Sequence, residues 1–222
     1  MTVPSANTVV LLGNVDTAGD SLQRVIERAG IPGALPLRSR ATRAMVWFWA
    51  SAIEASGRLR ERLEGVVREP TWDGRPDNCV SFSYSRDWIG ACVSESGAIG
   101  LDLEAYDDVP GRVARRTMAA ADERRLLARA PAERDRAAAT HWCAAEAVAK
   151  AHGIGIPMML GRRTVTGLRS SGISNGTWFK VFEPLPGLCC AVAGMGERGR
   201  ISVFRLSEMP TFELLPGGAL SL

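Results

Sequence analysis

Residues 112–151 constrain the fold most, because they are rich in Ala, Arg and Glu while short β-like runs lie on either side of them. Ala, Arg and Glu favour helix, so the stretch predicts successive helices. Pro131 suits the opening of a long helix that runs to Ala151 and stops before Gly153. Upstream, 8–12 reads as a buried strand stopped by Gly13-Asn14, and 20–29 and 40–56 read as helices closed by Gly30 and Gly57. Met45, Val46, Trp49 and Ile53 share one face of the second helix, and Trp47, Phe48 and Trp49 are expected to pack it. Runs 79–83, 88–94 and 98–104 read as strands, the last two joined as a hairpin at Glu95-Ser96-Gly97. Downstream, 164–168, 178–182, 188–193 and 201–206 read as strands, and the Pro- and Gly-bearing tail reads as loose. This order predicts an α+β chain in two parts, 1–105 and 106–222.

With 222 residues, the chain admits one large domain or two small ones. A net charge of +3 is too mild to argue for nucleic acid, but it suits an acidic partner or a phosphorylated substrate. The cysteines are Cys79, Cys92, Cys143, Cys189 and Cys190, with no C-x-x-C pair. His141 and His152 are the only histidines, so a structural zinc site is not expected and buried free thiols are. The N-terminus has no basic region followed by an apolar core, and the apolar runs fall short of a membrane span. A cytoplasmic protein, with no membrane or nucleic-acid partner, is the expectation.

Chemistry concentrates in two segments, 100–104 and 142–150. Asp102 and Glu104 share a face if 98–104 is a strand, and Glu146 and Lys150 share a face if 131–151 is a helix. Three acids and a lysine suit a divalent cation held against a diphosphate. Each pair also has a bland explanation. Alternating apolar and acidic residues mark a half-exposed edge strand, and Glu and Lys four apart are a common surface pair. Trp142 reads as a core anchor, His141 and His152 as structural or exposed. The arginines of 112–136 read as a solvated helical face or, alternatively, a footprint for an acidic protein.

Taken together, the motifs resemble those of the surfactin-type 4′-phosphopantetheinyl transferases. That family has a G-K-P-like turn, a strand ending in S-H-S, a G-[IV]-D-[IVL]-E strand and a W-x-x-K-E-A-x-x-K helix followed by glycine. Here they stand as Gly74-Arg75-Pro76, Ser83-Tyr84-Ser85, Gly100-Leu101-Asp102-Leu103-Glu104 and Trp142 through Lys150, with 153–157 as the loop beyond. The resemblance spans roughly 38–157. It implies a monomeric pseudo-dimer of two similar α+β halves with the active site in the cleft between them. It further implies transfer of the phosphopantetheine arm of coenzyme A to a serine of an apo acyl or peptidyl carrier protein, with adenosine 3′,5′-bisphosphate released. Asp102, Glu104 and Glu146 are then the ligands of Mg²⁺. Glu146 and Lys150 are the catalytic residues, one taking the serine proton and the other stabilising phosphate charge. Arg38, Arg40, Arg43, Arg75, Ser83, Tyr84 and Lys150 fall where the family binds coenzyme A. The carrier would serve fatty-acid, polyketide or peptide biosynthesis.

Two positions depart from the pattern. Tyr84 replaces the histidine of S-H-S and cannot carry positive charge. Ala145 replaces the lysine before the glutamate and removes a cation. These changes leave a second possibility, a homologue that binds coenzyme A or a carrier protein without efficient transfer. A metal-dependent nuclease fits less well, since such sites place glutamate and lysine two apart on a strand and this chain is only mildly basic.

Overall fold

The computed structural model describes residues 8–14, 80–94, 97–108, 111–154, 165, 167–196, 199–208 and 211–220. The expected helices over 20–29 and 40–56, their aromatic packing, and Cys79 all lie outside the described residues. The strands are β1 (Thr8–Asn14), β2 (Val80–Ser85), β3 (Trp88–Ser94), β4 (Ile99–Ala105), β5 (Ser171–Ser174), β6 (Thr177–Leu185), β7 (Leu188–Met195), β8 (Ile201–Glu208) and β9 (Thr211–Leu220). The helices are α1 (Gly111–Arg115), α2 (Ala120–Leu127) and α3 (Pro131–Ala151).

The strands form two sheets. One is five-stranded in the order β2-β3-β1-β8-β9, and the other is four-stranded in the order β4-β7-β6-β5. Among the described strands only β1 and β8 run parallel, and the other pairings are antiparallel. Neither sheet is confined to one side of residue 105: β4 joins the strands that follow it, and β8 and β9 return to the strands of the first part.

Strand parity builds three layers. On β7, Leu188, Cys190 and Val192 pack toward the first sheet with Val10, Leu12, Cys92, Ile201 and Val203. The alternate residues Cys189, Ala191 and Ala193 pack with Trp142, Ala147 and Val148 of α3. The second sheet is therefore the middle layer, buried on both faces, as its nearly continuous apolar runs require. β4 follows the same parity. Ile99, Leu101 and Leu103 enter the core between the sheets, which leaves Gly100, Asp102 and Glu104 on the face toward α3.

The long helix begins and ends where its sequence indicates. Pro131 stands at its N-terminus, where a missing N–H is harmless. At the other end the Ile154 amide donates to the Ala149 carbonyl and the Gly153 amide to the Lys150 carbonyl, with Gly153 at φ 65°. Those bonds satisfy terminal carbonyls in a left-handed cap that glycine adopts at little cost.

Several expectations fail. Strands 88–94 and 98–104 are not a hairpin: β3 and β4 lie in different sheets, because Leu101 and Leu103 pack face to face on Gly90 rather than edge to edge. The hairpin at this point is β2–β3, turned by Arg86-Asp87 with Arg86 at φ 52°. The run 164–168 is no strand at its described positions; the strand lies at β5, joined to β6 by Asn175-Gly176 at φ 50° and 78°. Asn-Gly is a strong signal for such a tight turn. Gly13-Asn14 does not stop β1 but pairs with Ile89 and Trp88. The tail is not loose, since β9 pairs with β8. Cys92, Cys143, Cys189 and Cys190 are buried free thiols, as expected.

Candidate active site

The two chemical segments meet where one face of β4 passes under α3. Their contact is unusually close at Gly100. A Cβ there would lie 1.9 Å from the Ala147 carbonyl oxygen and 2.6 Å from the Ala151 nitrogen. Only glycine lets the strand approach the helix backbone this nearly. The approach brings residues on one helical face, Trp142, Glu146 and Lys150, onto the acidic face of β4.

Among the described strands β4 pairs with β7 alone, so the amides of its other edge need partners. Three serines of β2 supply them. Ser81, Ser83 and Ser85 accept hydrogen bonds from the amides of Leu101, Leu103 and Ala105 at 2.8, 3.1 and 2.9 Å. All three serines are buried. Their period of two in the sequence places the hydroxyls on one face of β2.

Asp102 is 2% exposed and Glu146 is 8% exposed, so neither belongs to a solvated face. Lys150 Nζ donates to Asp102 Oδ1 at 2.7 Å and to the Leu101 carbonyl at 3.0 Å, and it lies 3.8 Å from Glu146 Oε2. Ser83 Oγ donates to the same Asp102 Oδ1 at 3.0 Å. Trp142 Nε1 donates to Glu104 Oε1 at 3.1 Å, so this tryptophan is both a core residue and an acid's partner. Cys143 Sγ approaches the Asp102 carbonyl at 3.2 Å and steadies the strand from the helix side.

Three acids share one lysine, and the two glutamates are shifted by their surroundings. Burial, then the Asp102 charge, pushes Glu146 up to about 8, against the pull of Lys150. Burial and Asp102 also raise Glu104 to about 7, while the Trp142 hydrogen bond acts the other way. Burial works against the charge on Lys150, yet Asp102 and Glu146 hold its pKa above the ordinary value. The site carries excess acidity that one lysine does not balance.

A divalent cation fits this chemistry. The donors are all carboxylate oxygens, which suits Mg²⁺, and Asp102 Oδ2 is buried with no hydrogen-bond partner. Among the described residues no three His, Cys, Asp or Glu side chains stand as a ready ligand set.

Other expected residues fall elsewhere. Ser83 is buried against Asp102 and Lys150. Tyr84 points from the opposite face of β2 and is 57% exposed. Ala145 is buried in the helix–sheet core. Arg38, Arg40, Arg43 and Arg75, with Gly74, Pro76 and 155–157, lie outside the described residues. Arg112, Arg116, Arg124, Arg125, Arg129 and Arg136 are exposed, in keeping with a solvated helical face. His141 is buried, and burial pulls its pKa down. His152 Nε2 meets Thr177 Oγ1 at 2.6 Å, a structural contact at the end of α3. Sequence reasoning missed Ser81, the edge-capping role of Ser85, and Cys143. The alternation of serines along 81–85 was the available signal for the first two.

Residues 98–181 match the family model of the 4′-phosphopantetheinyl transferase superfamily. The matched segment runs from just before β4 into β6 and holds Asp102, Glu104, Glu146 and Lys150, but not the serines of β2. It supports a transferase of the phosphopantetheinyl type. No curated protein matches the chain. No helix among the described residues is long and apolar enough to cross a membrane.

Proposed function

We propose that this chain is a surfactin-type transferase that moves the 4′-phosphopantetheine arm of coenzyme A onto a serine of an apo acyl or peptidyl carrier protein. The observation that carries this reading is the buried junction of β4 and α3, where three acids and Lys150 meet inside the matched segment. Asp102, Glu104 and Glu146 would hold Mg²⁺. When bound, the cation supplies neutralisation of charge on the diphosphate.

The chain's own residues supply the rest. The serine oxygen forms a bond to the phosphorus that carries the pantetheine arm, and the bond from that phosphorus to the bridging oxygen breaks. Adenosine 3′,5′-bisphosphate leaves with the bridging oxygen. The hydroxyl proton passes to the Glu146 carboxylate, directly or through water, as a positioned general base. Lys150 remains charged and faces the negative charge that develops on the phosphates. Arg38, Arg40, Arg43 and Arg75 are assigned to the phosphates of coenzyme A, and Tyr84 to its nucleotide end. A cytoplasmic monomer of two similar halves, 1–105 and 106–222, with coenzyme A in the cleft between them, belongs to the same reading.

Intact-protein mass spectrometry of several apo carrier proteins, incubated with this protein, coenzyme A and Mg²⁺, tests the proposal. A gain of one phosphopantetheine, abolished by EDTA, is the expected result. No gain on any carrier, with a known transferase active beside it, overturns the reading. Coenzyme A binding without transfer would then favour a binding protein.

A further inference from the structure

Asp102 is held from one side only. Its Oδ1 takes the Ser83 hydroxyl at 3.0 Å and the Lys150 ammonium at 2.7 Å, while Oδ2 is buried with no partner. Ser83 is fixed in turn by the Leu103 amide at 3.1 Å, and Lys150 Nζ lies 3.3 Å from the same hydroxyl. A carboxylate with two χ angles and one anchored oxygen has its other oxygen aimed. The anchor comes from a strand of the other sheet, so the aim depends on how the sheets are stapled.

We propose that Ser83 is a positioning residue for a divalent cation. It orients Asp102 so that Oδ2 is presented as a ligand, and it does not contact coenzyme A. The inference rests on the transferase reading above. It assigns to Ser83 a role toward the metal in place of the coenzyme A contact that its motif suggests. Ser81 is the internal control. It caps β4 in the same way, taking the Leu101 amide at 2.8 Å, and its hydroxyl is not bonded to Asp102. A purely structural role would make the two serines equivalent. A positioning role separates them.

The test is Mn²⁺ titration by electron paramagnetic resonance, in the presence of coenzyme A, of wild type, Ser83→Ala, Ser83→Thr and Ser81→Ala. Thermal melts establish that each variant is folded. Partners that orient a metal ligand typically govern affinity by about 10- to 100-fold. Ser83→Ala is therefore expected to weaken Mn²⁺ binding about tenfold or more. Ser81→Ala should stay within about threefold of wild type while losing comparable thermal stability. Ser83→Thr, which keeps the hydroxyl on a residue suited to strands, should recover most of the affinity. Equal Mn²⁺ affinity in Ser83→Ala and Ser81→Ala, with wild type binding, overturns the positioning role and leaves the transferase reading standing. A wild-type protein that binds no Mn²⁺ with coenzyme A present overturns both.

Discussion

Each acid at the junction has a different partner, and the partners predict different behaviour. Burial, then the charge and side chain of Asp102, raise the pKa of Glu146, with Lys150 at 3.8 Å acting the other way. Glu146→Gln keeps the shape but removes the base. Transfer should fall by about 100-fold or more, the range of general-base contributions, with the thermal melt near neutral pH no lower than in wild type. Glu104 instead has the Trp142 N–H. Trp142→Phe keeps most of the ring and removes the donor that opposes the upward shift of Glu104. Metal binding in this variant should therefore require a higher pH than in wild type, read as the midpoint of Mn²⁺ affinity against pH; an unchanged midpoint would deny the bond any influence on the site. Ala145 is fully buried in the helix–sheet core. Ala145→Lys matches the family's motif but introduces a charge where nothing pairs it. Urea denaturation should register a loss of about 1 kcal/mol or more, with no gain in transfer rate.

Among the elements, β4 and α3 make the decisive contact, and Gly100 sets how close they come. Gly100→Ala places a methyl group 1.9 Å from a backbone carbonyl that no side-chain rotation can relieve. The strand and helix must separate, at a cost of about 3 kcal/mol, the upper end of the usual scale of overpacking. Chemical denaturation measures that loss. Transfer activity should fall further than stability alone explains, because Glu146 and Lys150 move away from Asp102 together. The serines of β2 act at this scale too. They let a strand of one sheet satisfy the edge of a strand in the other, and each orphaned amide would cost about 1–3 kcal/mol.

Over the whole molecule, the acid cluster makes stability depend on pH in an unusual direction. Glu104 and Glu146 rise from an ordinary 4.5 to about 7 and about 8 in the folded chain. Between those limits the folded protein holds protons that the unfolded chain has lost. Stability is therefore fully present below the unfolded value and is lost as pH rises through about 7 and 8. Melts of EDTA-treated protein from about pH 5 to pH 9 should show a falling midpoint. Added Mg²⁺ should flatten the slope, because a cation stabilises the ionised carboxylates that burial disfavours. A midpoint that climbs over the same range would mean that these carboxyls titrate lower in the folded protein than in the unfolded chain.

The sequence by itself determined the local elements with strong signals. The α3 helix is legible from its composition and from Pro131 and Gly153, and the strands at 88–94 and 188–193 from their apolar runs, because propensity and capping act between neighbours in the chain. It also determined which candidate side chains share a face, since Asp102 and Glu104 at spacing two and Glu146 and Lys150 at spacing four follow from strand and helix periods alone. Tertiary structure alone decided which strands pair. The turn at 95–97 suggested that β4 pairs with β3, yet β4 joins β7, far along the chain. β1 accepts β8 in parallel, a pairing with no local signal. The same long-range packing decided that the acids are buried rather than solvated, that Ser83 faces Asp102, and that Tyr84 faces away. A strand's two faces are equivalent in sequence until something packs on one of them, and here the first sheet and α3 do so on opposite sides of β4.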